Sequence, residues 1–301
     1  MKRIGRALQF VHDQTEEICL KAVKKNGLAL QFVKNQTEEM CIIAVKQDRL
    51  ALRYVRDQTE EICLTAVKRN CAALKYVKDQ TEEMCWIALK YSGLCLEHVK
   101  DQTEEMCFDA LKKDGTLLRY VRNRTEEMCI VAVRQRGMAL QYINCQTEEM
   151  CWEALKQCPL ALAYIKHKTD DMCIAAVRYD SRALKYVDNQ TEEMILIAVR
   201  DNGSTLIHAK IQTEEICLEA VRQDSHALRY VNDQTEEICI EAVRKNGWAL
   251  SYITNLTEEI CKIAINNPIF LGSNGWKITD HEERISFIMD PEMRNRFAII
   301  S

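Results

Sequence analysis

Fifteen cysteines run through the 301-residue sequence, and eleven of them stand at one place in a 22-residue period. These are Cys19, Cys41, Cys63, Cys85, Cys107, Cys129, Cys151, Cys173, Cys217, Cys239 and Cys261, each following Thr-(Glu/Asp)-(Glu/Asp)-(Ile/Met). Thiols in such number could bridge, hold zinc or act as nucleophiles. Their spacing argues against the first two. Stacked helices lie about 8–10 Å apart, whereas a disulfide needs Cα atoms within about 7 Å and zinc needs four ligands at about 2–2.3 Å. No Cys-x-x-Cys pair occurs. Free cysteine is a good small core residue, so the expectation is packed, reduced thiols in a reducing, intracellular compartment.

The other reactive side chains form no constellation. Six histidines (His12, His98, His167, His208, His226 and His281) are scattered, and there is no glycine-rich phosphate loop, His-Glu-x-x-His or Gly-x-Ser-x-Gly. The paired acids after each threonine recur twelve times, and an active site is not copied so often. The sequence predicts no enzyme, no catalytic residue, no metal and no cofactor.

What the period does specify is structure. Numbering each unit from its threonine (Thr15, Thr37, Thr59 and on to Thr257), positions 4, 5, 8 and 9 are apolar, as in Ile18, Cys19, Ala22 and Val23. That spacing lines one face of a helix. Asp or Asn stands two residues before the threonine in nine of twelve copies, three residues ahead of the first acid, as in Asp13 to Glu16 and Asp79 to Glu82. This has the form of a capping box. Acids in the first turn and Lys or Arg at position 10 in eleven copies, from Lys24 to Arg244, suit the helix dipole. Glycine at position 13 (Gly27, Gly93, Gly115, Gly137, Gly203, Gly247) predicts a left-handed helix end. A shorter apolar pattern follows, as in Ala29, Leu30, Phe32 and Val33. Each unit thus reads as an αα-hairpin too short to stand alone.

The predicted fold is all-α: an α-solenoid of about twelve stacked 22-residue αα-hairpin repeats with a C-terminal helical cap. Residues 1–12 read as a partial N-terminal repeat, 13–267 as the twelve repeats and 268–301 as the cap. Position 6 is apolar from Leu20 to Ile240 but charged at Lys262, as expected where no further repeat covers it. Pro268 breaks the period, and Thr279 to Glu282 resembles another helix start. A net charge of −4 with 29 % charged residues gives no bulk attraction for polyanions. No 18-residue apolar run and no signal-peptide pattern occur, so neither membrane insertion nor secretion is expected.

The units Asp57-Gln-Thr-Glu-Glu-Ile-Cys-Leu-Thr-Ala-Val-Lys and Asn246-Gly-Trp-Ala-Leu-Ser-Tyr resemble a short helical repeat family of unknown function, abundant in giant DNA viruses of amoebae, the mimivirus group. The resemblance covers about residues 5–267. It implies a repeat protein of a giant virus acting in the infected host cell, in its cytoplasm or a viral factory, and carries over no catalytic residue.

Three features bear on partners. Position 18 carries an aromatic ladder (Phe10, Phe32, Tyr54, Tyr76, Tyr120, Tyr142, Tyr164, Tyr186, Tyr230, Tyr252, with His98 and His208 in the same slot) that could stack nucleic-acid bases; its flanking apolar positions favour packing instead. Acids at positions 2 and 3 and bases at 10, helped by Arg53, Lys75, Arg119, Lys185 and Arg229 at 17, could form charged stripes, though the two signs nearly cancel. Position 7 varies (Lys21, Ile43, Thr65, Ile87, Asp109, Val131, Glu153, Ala175, Ile197, Glu219, Glu241, Ile263), as either a free surface or a partner-reading surface would. The expectation is therefore a scaffold or adaptor for protein partners, its partner-binding residues unknown. The alternatives are nucleic-acid binding and self-association through the N-terminal face or the C-terminal tail.

Overall fold

Each threonine side chain opens a helix. Thr15 Oγ1 accepts the N–H of Ile18 at 3.4 Å, and the same bond recurs in every unit to Thr257 and Ile260. The expected capping box is not formed: Thr15, extended at φ −74° and ψ 156°, is the N-cap, and Asp13 lies outside the helix, exposed. This computed structural model describes residues 7–267; residues 1–6 and the expected cap at 268–301, with His281, lie outside the described residues.

The twelve threonines start α1 (Glu16–Lys25), α2 (Glu38–Gln47), α3 (Glu60–Arg69), α4 (Glu82–Tyr91), α5 (Glu104–Lys113), α6 (Glu126–Gln135), α7 (Glu148–Gln157), α8 (Asp170–Tyr179), α9 (Glu192–Asp201), α10 (Glu214–Gln223), α11 (Glu236–Lys245) and α12 (Glu258–Asn266). Between them run six-residue 3-10 helices such as Gly27–Phe32 and Arg49–Tyr54, preceded by the single turn Leu8–Phe10. Among the described residues there is no strand.

Glycine does not end the helices as expected. None of Gly27, Gly93, Gly115 and Gly203 has a positive φ. The helix stops at position 12, where Asn26 turns extended (φ −152°, ψ 108°) while its side chain accepts the N–H of Leu28 and caps the 3-10 helix. Asn, Asp or Ser does this in nine of eleven units; Arg136 and Cys158, the exceptions, make no such bond. Glycine instead provides room: a Cβ on Gly115 would lie 2.1 Å from the carbonyl oxygen of Ala132, in the next helix.

The chain divides into two compact units, residues 1–153 and 154–301. Within each, helices stack in two layers. An α-helix such as α2 packs on the α-helix after it and on the 3-10 helices at both of its ends, while 3-10 helices pack on one another. This is the arrangement of an α-solenoid. Small Ala44 and Ala51, fully buried, let the layers approach, and Leu52 and Val45 fill the space between them. The ends show which way each position faces. Position 4, 0–2 % exposed in the other helices, is 42 % exposed at Ile18 of α1, whereas position 5, buried elsewhere, is half-buried at Cys261 of α12. Position 4 therefore faces the preceding repeat and position 5 the following one.

Glutamine at position 22 ties the 3-10 layer together. Gln36 Nε2 donates to Leu30 O (3.2 Å) and to Tyr54 O in the next repeat (2.9 Å), while its Oε1 accepts the N–H of Arg56 (3.0 Å). These backbone groups at the ends of short helices lack regular partners. Gln58, Gln80, Gln102 and Gln190 repeat the pattern. In two units a longer cation substitutes: Arg124 Nη1 reaches Tyr142 O and Lys168 Nζ reaches Tyr186 O.

Candidate functional site

Most of the repeated side chains are occupied in holding the stack. The position-5 thiols are packed beside that glutamine; Cys63 Sγ lies 3.7 Å from Gln58 Oε1. All fifteen cysteines are free. Burial, aided by Asp57 and Glu38, pushes the Cys41 thiol up to about 11, and burial with the neighbouring Cys71 thiol pushes Cys95 up to about 12. Such thiols are protonated and poorly nucleophilic at neutral pH. No group of three or more metal-ligating side chains is gathered among the described residues. His12 and His167 are exposed, while His98, His208 and His226 are half-buried in separate repeats.

The aromatic ladder is half-buried from Phe32 to Tyr252, with only Phe10 largely exposed, at 77 %. In four repeats the position-17 cation lies over the neighbouring ring: Arg53 on Tyr54 (4.9 Å), Arg119 on Tyr120 (4.6 Å), Lys185 on Tyr186 (4.6 Å) and Arg229 on Tyr230 (4.8 Å). Those cations cover the ring faces on which a base would stack.

A further cationic row, absent from the stripes expected above, lies at position 20 in Lys34, Arg56, Lys78, Lys100 and Arg122. Arg56 Nη1 donates to Lys34 O (2.6 Å), Lys78 Nζ to Arg56 O (2.7 Å), Lys100 to Lys78 O and Arg122 to Lys100 O. Each side chain closes on the backbone one repeat earlier, so this row serves the stack. Its sequence signal is a base before the Asp or Asn in five units, from Lys34-Asn35 to Arg122-Asn123.

The acids divide in the same way. Position 2 is partly engaged, with Glu38, Glu192, Glu214 and Glu236 accepting the hydroxyl of the next threonine. Position 3 is exposed throughout.

What remains is the helix edge formed by positions 3, 7 and 10. Position 7 is half-buried in every helix from Ile43 to Ile263, and position 10 is exposed from Lys24 to Arg244. The position-10 cation of one helix faces positions 3 and 7 of the next. Arg134 Nε pairs with Glu153 (2.8 Å) and its Nη2 with Glu149 (3.3 Å). Arg200 Nε pairs with Glu219 (2.9 Å), Arg222 with Glu241 (3.6 Å) and Arg178 with Glu193 (3.7 Å). Hydrogen bonding to Arg200 holds the Glu219 carboxyl below its usual range. By contrast Lys24, Lys46, Lys68, Lys90 and Lys112 make no ion pair among the described residues. Between α2 and α3 this edge opens into a groove of about 800 Å³ lined by Ile43, Lys46, Gln47, Thr65, Lys68 and Arg69. A second hollow of about 680 Å³, lined by Lys100, Asp101, Gln102, Glu104, Arg122 and Arg124 among others, has mixed charge. Among the described residues no helix is long and apolar enough to cross a membrane.

Three segments, residues 15–58, 191–235 and 213–258, match the model of a family described as a domain of unknown function (DUF4116). Each match spans about two of the 22-residue repeats. No curated protein and no solved structure was found to be similar.

Proposed function

We propose that this chain is a non-enzymatic scaffold or adaptor whose helix edge binds protein partners. The observation that supports it is the division of labour within the repeat. Caps, core, glutamine ties and the position-20 row account for nearly every repeated side chain, while the surface left over is a row of half-buried, varying position-7 residues beside exposed cations. Stacked helical repeats bind partners along extended surfaces of this kind. On the resemblance of the repeats we place the protein in a giant virus, acting inside the infected cell, where a reducing environment would keep its thiols free.

Affinity capture from infected cells tests the reading: specific retention of one or a few proteins is expected, and retention of none overturns it. Nucleic-acid binding is the weaker alternative, because cations already cover four aromatic rings. Self-association has one specific support, the exposure of Phe10 and Ile18 at the first described repeat. A monomer mass independent of concentration in light scattering would remove it.

A further inference from the structure

The paired repeats show where a carboxylate sits on the helix edge. At Arg134/Glu153, Arg200/Glu219 and Arg222/Glu241 the position-7 glutamate of one helix lies against the position-10 cation of the helix before it. The same slot is open where position 7 lacks an acid, as at Lys24/Ile43, Lys46/Thr65 and Lys68/Ile87, and there the lysine has no ion-pair partner among the described residues. The groove between α2 and α3 lies over this open stretch. Its lining contains Lys46, Lys68 and Arg69 and no acid, and Ile43 and Thr65, half-buried, lie between the cations.

We infer that this groove binds an extended acidic segment of a partner protein, whose carboxylates take the slots that Glu153, Glu219 and Glu241 fill elsewhere. The inference rests on the scaffold reading and names the chemistry of the partner. Two features favour a peptide over a nucleic-acid backbone. The floor offers an apolar or hydroxyl contact in each repeat, which suits alternating acidic and apolar side chains but not a phosphate chain charged at every residue. A row of exposed acids, Glu39 and Glu61 at position 3, also flanks the lysines, about 10 Å along the axis of the same helix and, across to the next repeat, at the position from which Glu149 and Glu193 reach Arg134 and Arg178. That row repels a broad polyanion yet leaves room for one extended strand.

The test is a fluorescence anisotropy titration of the full chain with a short labelled peptide alternating Glu and Leu. A peptide alternating Lys and Leu and a mixed-sequence single-stranded RNA serve as comparators. The acidic peptide is expected to bind, more weakly as salt rises, and the basic one is not. Thr65→Glu supplies Lys46 with an internal carboxylate, as Glu219 supplies Arg200, and should weaken peptide binding about tenfold. Lys46→Ala with Lys68→Ala, both at exposed positions, should do the same with an unchanged circular dichroism spectrum. No binding, binding indifferent to Thr65→Glu, or tighter binding of the RNA overturns the inference. Capture with wild type and Thr65→Glu separates the two levels. Partners retained equally by both would overturn the groove and leave the scaffold reading standing, whereas no partner on the wild type removes the scaffold reading itself.

Discussion

Along α1 to α5 position 10 carries lysines that make no ion pair among the described residues; along α8 to α10 the same position carries arginines paired to the next repeat. The core beneath does not differ. Leu74 in the first stretch and Leu228 in the second are both fully buried, at the same position of the 3-10 helix. One backbone geometry thus serves two ends, an edge stitched internally and an edge left open. The stitched edge sets arginine at position 10 against an acid at position 7 of the next helix, as for Arg200 and Glu219, or at position 3, as for Arg178 and Glu193. Arginine suits the stitched edge because its planar fork can contact two carboxylates at once, as Arg134 does with Glu149 and Glu153, whereas lysine is a mobile point charge.

If only the edge distinguishes the two stretches, core damage should cost the same in each. Leu74→Ala and Leu228→Ala are each expected to destabilise by about 2–5 kcal/mol in urea unfolding. Unequal losses would mean that the difference reaches the core and would break the comparison. Next in size is the glutamine tie. Gln80→Ala leaves the carbonyls of Leu74 and His98 and the N–H of Lys100 without their partner. It should cost about 1–3 kcal/mol, as should Gln212→Ala, which frees Tyr230 O and the N–H of Asn232.

The capping carboxylates add a pH dependence. The side-chain hydrogen bond with His226 outweighs burial and, with the His226 N–H and Ser204 hydroxyl, holds the Asp224 carboxyl down at about 2. Because its folded value lies below the unfolded one, the stabilisation is complete above about pH 4 and is lost as pH falls through about 2. Asp224→Asn should remove about 1 kcal/mol at neutral pH after solvent screening and flatten the acid limb of the stability profile. Asp114, which despite burial is held below the usual carboxylate range by the hydroxyl and N–H of Thr116, provides the matching variant in the first stretch.

The smallest effect addresses the edge itself. A double-mutant cycle on Arg200 and Glu219 should give a coupling of about 0.2–1 kcal/mol that shrinks with salt. Lys46→Ala should change stability by less than about 0.5 kcal/mol. A large loss at Lys46 would mean that the open edge is structural after all.

Much of the fold was legible because a repeated sequence states its periodicity twelve times. The apolar positions 4, 5, 8 and 9, the layer of short helices and the packed position-5 cysteines all stand where the spacing placed them. The local assignments that failed share a cause. Asp13 and Thr15 both have side chains able to cap a helix; which one does so depends on the loop path, and that path is set by Gln14, whose amide must reach Leu8 O and Phe32 O. Glycine at position 13 fits a left-handed helix end on paper. Its actual reason, the Ala132 carbonyl close against Gly115, belongs to the next repeat and has no trace in the local pattern. The Asx residue at position 12, such as Asn26, is the local sequence signal for the helix end and the 3-10 cap.

The candidate site was less legible still. Position 7 stood out as variable and position 10 as basic, but nothing in a linear reading says that position 10 of one helix meets position 7 of the next. Sequence alone determined the period, the two helices of each repeat and their buried faces, because these follow from contacts a few residues apart that the chain writes down repeatedly. Tertiary structure alone decided which charges are satisfied. An ion pair such as Arg200 with Glu219 joins residues on successive stacked helices, so whether a cation is paired or open exists only once the stack has formed.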